Sequence, residues 1–195
     1  MNLKDYRNLF AAGSLVLSLF AVTPALNLFV PFYVAEPFSE LSILGPTLMA
    51  KDYPFNIQVN AEKSLFVTVS NHLGGSAYYV VYVKLRNQTQ SFPNNILPSS
   101  LAPLYEFGVF LLDGEKWEGV IRFKFLEVLR DADMVWVRKM MINNVIFGLD
   151  SSTKWDFKYS GFYFQLFFEL WQYDMKSRSF KYHDRFVGVW LNMTV

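Results

Sequence analysis

The feature that most constrains this chain is a run near its start, Asn8–Ala35, that contains no Lys, Arg, Asp, Glu or His. Arg7 closes the run on one side and Glu36 closes it on the other. A helix needs roughly 20 apolar residues to cross the hydrocarbon of a bilayer, which is about 30 Å thick. The run therefore predicts one transmembrane helix.

The charges in front of the run predict its orientation. Lys4 and Arg7 place the N-terminus in the cytoplasm by the positive-inside rule. The predicted order is a cytoplasmic tail (1–7), a signal-anchor helix (8–35), a connector (36–54) and an extracytoplasmic domain (55–195). The apolar side chains expected to contact membrane lipid are Leu9, Leu15, Leu17, Leu19, Phe20, Leu26 and Phe29.

Two other interpretations of the run remain open. A cleaved signal peptide would also have a basic start, an apolar run and small residues at its exit, here around Thr23–Ala25. A buried helix of a soluble protein is less consistent with a run this long and this uniformly apolar. The retained anchor is favoured because apolar residues continue past the cleavage position through Leu26–Val30.

After the run, the hydrophobic pattern changes to the period of a β-strand. Apolar and polar residues alternate in Phe55–Val59, and glycine-rich or polar turns separate the later apolar stretches. The sequence predicts an all-β fold, an immunoglobulin-like (Ig-like) antiparallel β-sandwich of about seven to nine strands. The further strands are predicted over Leu65–Ser70, Ala77–Arg86, Tyr105–Leu112, Lys116–Glu127, Tyr159–Tyr173 and Phe186–Thr194.

Three segments between these strands need separate interpretation. In the connector, Pro37, Gly45-Pro46 and Pro54 exclude a long helix or a central strand. Asn87–Pro103 is predicted to be an exposed crossover or a binding loop. Arg130–Asp150 fits two strands joined at Asn143-Asn144 or a helix, and its β-branched residues favour the strands.

Composition excludes several classes of function. The chain has 18 Lys and Arg and 17 Asp and Glu, of which two basic residues and one acidic residue precede the run. The remaining 16 basic and 16 acidic residues give a neutral domain, without the excess of positive charge that nucleic-acid binding requires. There is no cysteine and there are only two histidines, so we predict no cofactor and no metal site.

Two triplets match the N-glycosylation sequon. They are Asn87-Gln88-Thr89 and Asn192-Met193-Thr194, and both would lie outside the cell in the predicted topology. We therefore predict Asn87 and Asn192 as sites of an N-linked glycan. The alternative is that both are ordinary polar residues.

The remaining motifs favour structural roles. His183 and Asp184 are adjacent, and neighbours on a strand point to opposite faces, so they do not predict a catalytic pair. His72 lies beside turn glycines with no second histidine nearby. Two groups of acidic residues in turns lack the spacing of a calcium loop. Five tryptophans could form a sugar-stacking surface, but their spacing along strands favours a place in the core. These residues are Asp113, Glu115, Glu118, Asp131 and Asp133, and Trp117, Trp136, Trp155, Trp171 and Trp190.

Two blocks of the sequence resemble a known family. The first contains Glu36–Leu41, Ile43–Pro46, Asp52–Ile57 and Val67–His72, and the second contains Phe168–Trp171 and Val189–Asn192. They resemble an archaeal membrane-protein family of unknown function, with N-terminal transmembrane helices and an extracytoplasmic Ig-like domain. The resemblance implies the same topology and an archaeal cell surface, and it brings no catalytic residues. The chain departs from that family in having one apolar run and a longer passage over Val128–Phe157.

These observations predict a single-pass accessory or scaffold subunit of a membrane or cell-envelope complex, and not an enzyme. Its partners would be membrane lipid and other membrane or cell-surface proteins, with no nucleic acid. Residues predicted to contact a protein partner are Met134, Trp136, Met140 and Met141. The alternative function is a cell-surface carbohydrate-binding module. An enzyme would need acid and base groups brought together from distant strands, for example Glu106, Asp113 or Glu169.

Overall fold

The computed structural model describes residues 3–29 and 36–194, and the chain divides into two compact units, Met1–Glu36 and Pro37–Val195. The first unit contains helix α1, Leu3–Phe29. The predicted end of the anchor, residues 30–35, lies outside the described residues. Within the described ranges, no helix meets the combined length and apolarity of a membrane span.

The second unit is built from β-strands, ten of them among the residues described. They are β1 Phe38–Leu44, β2 Asn56–Ile57, β3 Lys63–His72, β4 Ala77–Asn87, β5 Tyr105–Leu111, β6 Lys116–Asp131, β7 Met134–Ile142, β8 Val145–Asp156, β9 Gly161–Asp174 and β10 Ser179–Met193. The all-β prediction is confirmed. The ambiguous passage forms β7 and β8 as strands.

The strands form one curled sheet. Its path runs β1-β3-β6-β7-β8-β9-β10-β2, and β4 pairs with β9 and with β5. All pairings are antiparallel except the short one between β10 and β2. Two residue pairs, Trp155 with Phe162 and Asp156 with Gly161, join β8 to β9. Strand β9 therefore contacts β4 and β8 along one edge and β10 along the other.

The start of the domain differs from the sequence prediction in two places. The connector contains a strand that the sequence does not predict, because Phe38–Leu44 pairs with β3 along its full length. The flanking prolines are compatible with this strand because it pairs on one side only, and proline excludes central strands rather than edges. In contrast, the strand expected over Phe55–Val59 shortens to Asn56–Ile57. With β1 and this short β2, the described strands number ten instead of seven to nine.

The core lies on the concave side of the curled sheet. Alternate residues of each strand fill it, because successive side chains point to opposite faces. In β9 these are Phe162, Phe164, Leu166, Phe168 and Leu170, each 2% exposed or less. The residues between them, Tyr163, Gln165, Phe167 and Glu169, point to the other face and are also buried. This second buried face positions the candidate site.

Candidate functional site

The candidate site lies on the face of β4, β9 and β10 that points away from the core, which we call the outer face. The loop between β4 and β5, residues 88–104, covers its middle, where the sequence predicts an exposed crossover or a binding loop over Asn87–Pro103. The Phe92 ring packs against Phe167 and Phe186, with centroids 5.4 and 5.0 Å away. Near the tip, the hydroxyl of Tyr182 donates to the carbonyl of Asn94 at 2.9 Å. The loop therefore closes over the sheet.

Beneath the loop lies a buried ion pair. Lys84 Nζ is 2.8 Å from Glu169 Oε2, and the two side chains are 4% and 0% exposed. Lys84 also donates to the carbonyl of Ser99 at 2.9 Å, and the Ser99 N–H donates to Glu169 Oε1 at 2.7 Å. The indole N–H of Trp171 donates to Oε2 at 3.2 Å. Each charge thus has an opposite charge and further hydrogen bonds, as a buried pair requires.

The three carboxylates considered as possible acid and base groups do not converge on one place: two lie in one row of the sheet and the third lies in a turn. Glu106 and Glu169 both pair with Tyr82 across neighbouring strands, so they lie in one row with Tyr82 between them. Burial, together with the charge of Glu106, raises the pKa of Tyr82. Asp113 lies in the turn after β5 and accepts from the Gly74 N–H at 2.8 Å. Because Glu169 is sealed and ion-paired, this row presents one accessible carboxylate.

A group of exposed and half-buried aromatic residues lies at one end of the outer face. Phe110 pairs with Tyr78 across β5 and β4, and Tyr173 pairs with Phe180 across β9 and β10. We call these four residues the aromatic row. The Tyr78 and Tyr173 rings lie 5.4 and 5.3 Å from that of Phe180. Phe110 is 63% exposed and Tyr78 is 43% exposed, at the edge of a cleft of about 720 Å³.

The same cleft is lined by His183, which lies beside an irregularity in β10. The pairing with β9 shifts between Tyr182 and Arg185, and Asp184 has φ of +52°. Burial lowers the pKa of His183, and the charge of Arg185 lowers it further while Asp184 opposes the change. Burial and the charge of Glu169 raise the pKa of Tyr182. The geometry thus gives His183 a half-buried place at the cleft wall.

A second cleft, which we call the aromatic cleft, opens at the other end of the outer face. Its volume is about 480 Å³ and its lining is Phe55, Gln88, Tyr159, Tyr163 and Trp190. The Tyr163 hydroxyl donates to the carbonyl of Tyr159 at 2.7 Å, and the two rings stand at 88° to each other. The volume falls in the ordinary range for small-ligand sites, which are lined mainly by apolar and aromatic groups.

The two sequon asparagines lie at this same end of the sheet, but on opposite faces. Asn192 pairs with Tyr163, whose side chain is on the outer face, and Asn87 pairs with Phe164, whose side chain is in the core. Residues directly opposite in a sheet share a face. Accordingly, Asn87 Nδ2 donates to the carbonyl of Ser152 at 2.7 Å. Its Oδ1 accepts from the main-chain N–H groups of Thr89 and Gln90, both at 2.9 Å.

The predicted contact residues for a protein partner are not equivalent. Met140 is fully buried in the core, so its side chain is not available to a partner and that assignment needs correction. Met134, Trp136 and Met141 are half-buried on β7. The prediction of a contact along this strand therefore rests on these three residues.

The predicted lipid-contacting residues lie on α1. Five of them have exposed side chains, and the side chains of Leu26 and Phe29 lie outside those described. The exposed five are Leu9, Leu15, Leu17, Leu19 and Phe20.

The remaining polar candidates have structural partners. Glu115 Oε2 accepts from the Leu112 N–H at 2.8 Å, which closes the β5–β6 turn. The His72 ring stacks on Phe38 with centroids 4.7 Å apart. No group of three metal-ligating side chains occurs in the part of the chain that the structure describes. Of the five tryptophans, Trp190 lines the aromatic cleft and Trp117 packs on Phe107, at 4.9 Å.

Sequence reasoning identified Glu169 but missed its partner, Lys84. The signal is present in two largely apolar strands: Lys84 follows a run of Val and Tyr, and Glu169 stands between Phe168 and Leu170. A charge within an apolar stretch of each of two strands predicts a pair, because an unpaired buried charge is costly.

The strands, the sealed ion pair and the two aromatic surfaces define the second unit as an all-β domain with candidate binding surfaces. The chain belongs to the DUF1616 family, described as a domain of unknown function, whose model matches residues 33–134. This agrees with the predicted membership of an uncharacterised family. The matched range ends at β7, so the resemblance in the last two strands lies outside it.

Other comparisons add little. No curated protein matches the chain. Two solved structures of a β-glucosidase from Listeria innocua, in complex with isofagomine and with glucose, are each 14% identical to it, with TM-scores of 0.28 and 0.29. Each alignment covers 59% of this chain and 16% of the other, so the chain spans about one sixth of the length of those proteins. Scores this low do not establish a shared fold.

Proposed function

We propose that the chain is a single-pass membrane-anchored accessory or scaffold subunit of a membrane or cell-envelope complex. The charge-free run Asn8–Ala35 supports the anchor, and Lys4 and Arg7 ahead of it support a cytoplasmic N-terminus. In this topology the strand-rich unit, Pro37–Val195, lies outside the cell.

The Ig-like sandwich is part of the same proposal. Two groups of strands, β1-β3-β6-β7-β8 and β5-β4-β9-β10-β2, would be its two layers, joined where β8 meets β9. Supporting this arrangement, one core cluster contains Phe123 and Phe125 of the first group together with Phe164 and Phe168 of the second. Sandwiches bury the inner faces of both sheets in one core.

The aromatic row is the observation that carries the proposal of a protein-binding role. Contiguous exposed apolar groups on a folded domain mark interaction surfaces, and Tyr, Phe and Met are enriched at protein interfaces. Met175, 80% exposed, extends this surface. The rings of Tyr78 and Tyr173 are inclined to that of Phe180 by 59° and 68°, so they present no flat platform for a sugar chain. The row therefore favours a protein partner.

The ion pair beneath the loop supports a binding role over catalysis. A general acid or base must reach the substrate proton directly or through one water. Glu169 is 0% exposed and ion-paired to Lys84, and Ser99 covers both groups. We therefore infer that the pair fixes the loop on the sheet and that the domain is not an enzyme.

Site-specific photo-crosslinking in native membranes tests the proposed contact. A photoreactive residue replaces Phe110 in one full-length variant and Phe157 in another. Both phenylalanines are exposed, at 63% and 84%, but only Phe110 belongs to the aromatic row. We expect position 110 to give one discrete protein adduct and position 157 to give none.

A second pair of variants makes the test quantitative. Phe110→Ser should release the crosslinked protein when the chain is purified in mild detergent, and Phe157→Ser should retain it. Equal adducts at both positions, or a native chain that runs as a monomer without that protein, would contradict the proposal.

A carbohydrate-binding role is the second candidate, and the aromatic cleft favours it. Its rings line a cleft of about 480 Å³, and the Gln88 side chain at the wall can donate and accept hydrogen bonds. A glycan array with the purified chain, compared with its Trp190→Ala variant, tests this role. Binding that is absent from the parent, or unchanged in the variant, would remove it.

A further inference from the structure

We propose that Asn192, rather than Asn87, carries an N-linked glycan, and that the first sugars of this glycan occupy the aromatic cleft of their own chain. The inference rests on the proposed extracytoplasmic location. The ligand is therefore a carbohydrate of the chain itself, attached covalently two residues after Trp190, which lines the cleft.

The register of β10 places Asn192 among the cleft aromatics. Trp190 is two residues earlier on the same strand, so both side chains lie on one face about 7 Å apart along the strand. Tyr163 is directly opposite on β9. On the other edge Asn192 pairs with Asn56, and its N–H donates to the carbonyl of Phe55 at 2.7 Å. Three of the rings that line the cleft thus surround the attachment point: Trp190 on β10, Tyr163 on β9 and Phe55 directly before β2.

The amide of Asn192 is held in a geometry compatible with a glycan. Its Nδ2 donates to Asn56 Oδ1 at 3.1 Å, and its Oδ1 accepts from the Phe162 N–H at 3.2 Å. An amide nitrogen has two hydrogens, so that bond leaves one for substitution. Gly161 makes room for this side chain, because a Cβ there would lie 2.4 Å from Asn192 Oδ1 and 2.9 Å from the Tyr163 ring.

Asn87 lacks this setting. Its side chain lies on the core side of β4, where Nδ2 donates to Ser152 and Oδ1 accepts from the turn that follows the strand. Attaching a glycan there would place it against β8. Both triplets match the sequon equally well, so the sequence does not distinguish the two asparagines. The strand register does, because it places them on opposite faces of the sheet.

The modification itself is a group transfer from a lipid-phosphate-linked oligosaccharide. The Nδ2 of Asn192 forms a bond to the anomeric carbon of the first sugar. The bond between that carbon and the carrier's phosphate oxygen breaks, and the amide loses one proton. In the folded chain the Thr194 hydroxyl donates to the carbonyl of Ile57 at 3.0 Å, so transfer precedes the pairing of β10 with β2.

Stacking follows from the chemistry of the two surfaces. The C–H groups of a pyranose face pack on the electron-rich face of an indole or phenol ring, while its hydroxyl groups need polar partners. Trp190 is 37% exposed and Gln88 is exposed at the same cleft. The guanidinium of Arg86 lies 5.0 Å from the centre of the Trp190 ring and restrains the indole.

The test is a double-mutant cycle on the full chain, purified from a host that attaches N-glycans. The four proteins are the parent, Thr194→Ala, Trp190→Ala and the double variant. Thr194→Ala removes the sequon, and its effect on the Ile57 hydrogen bond cancels across the cycle. We expect a glycopeptide at Asn192, and a melting temperature about 2–4 °C higher with the glycan only when Trp190 is present. The same four proteins from a bacterial host without N-glycosylation should show no such coupling.

Three outcomes would overturn the inference. They are a glycan at Asn87 with none at Asn192, a coupling equal in both hosts, and Trp190-dependent binding of free oligosaccharide by the glycosylated parent. Labelling of intact cells with a membrane-impermeant lysine reagent separates failure of this inference from failure of the proposed location. A labelled chain without a glycan at Asn192 overturns this inference alone, and a chain that labels only after lysis overturns the location.

Discussion

Lys84 on β4 and Glu169 on β9 form an ion pair 2.8 Å long between side chains that are 4% and 0% exposed. Residues 85 positions apart along the chain thus meet beneath a loop that contributes two further hydrogen bonds through Ser99. The pair fixes the outer face of the sheet and the loop above it as one packed layer.

Removing one member of this pair should destabilise the domain strongly. Glu169→Leu leaves Lys84 buried without an opposite charge, and we expect a loss of about 3–5 kcal/mol in the free energy of unfolding. The double variant Lys84→Met/Glu169→Leu should recover most of that loss, because it leaves no unpaired charge. Urea denaturation measures both, and a double variant as unstable as the single one would contradict this account.

The loop that covers the sheet should depend on one aromatic anchor. Phe92→Ala removes contacts with Phe167 and Phe186, and we expect a loss of about 2–3 kcal/mol together with faster amide hydrogen exchange over residues 88–104. Ile96→Ala is the matched control, because that side chain is on the same loop and is 80% exposed. Equal exchange in the two variants would show that Phe92 does not hold the loop.

Stability should fall in mild acid because of His183. Burial and Arg185 lower its pKa in the folded state, so the unfolded chain binds the proton more tightly. The contribution is fully present above the unfolded pKa of about 6.5 and is lost as the pH falls below that value. His183→Gln should therefore lose less stability than the parent between about pH 7.5 and about pH 5.

The other ionisable groups at this position set the control. Asp184 and Arg185 are on the same strand, and the Tyr79 ring of β4 is 6.2 Å from His183. All three remain in His183→Gln, so its comparison with the parent isolates the imidazole. Urea midpoints of the two proteins at the two pH values decide the matter, and parallel behaviour of the variant and the parent would exclude His183 as the cause.

Two glycines on the outer face should respond differently to alanine. A Cβ at Gly108 would lie 2.5 Å from the Tyr78 hydroxyl, which is the free end of a side chain and can move. A Cβ at Gly188 would lie 2.9 Å from the main-chain oxygen of Leu166, which the sheet holds in place. We expect Gly188→Ala to cost about 1–3 kcal/mol and Gly108→Ala to cost less than about 1 kcal/mol.

Gly108→Ala also tests the aromatic row without unfolding the domain. By displacing Tyr78 it should reduce the yield of the adduct formed from position 110, while circular dichroism and the urea midpoint stay close to those of the parent. An unchanged adduct yield would mean that the Tyr78 ring does not contribute to the contact.

The period of two in the sequence is sufficient to predict most strands, because one face of each strand meets the core. It does not predict β1, since Pro37 and Gly45-Pro46 punctuate that segment and its pairing with β3 depends on distant residues. It also places Phe167 and Glu169 on an outward face, where a solvated surface would be expected. Their burial depends on how residues 88–104 fold back, which no local pattern in the loop encodes.

The sequence likewise predicts only part of each candidate surface. Trp190 and Asn192 lie two residues apart, so a strand is enough to place them on one face. The approach of Phe55, Tyr159 and Tyr163 to that position depends on tertiary pairing, and so does the alignment of Phe110 with Tyr78.

The long antiparallel pairing of β4 with β9 has a practical consequence for work on this family. The matched range, residues 33–134, ends before β9 begins, and it contains Lys84 but not Glu169. A fragment cut at that boundary would expose one edge of β4 and leave the ammonium group of Lys84 without its counter-ion. Expression trials should therefore extend through β10, since a fragment trimmed to the matched range is expected to aggregate.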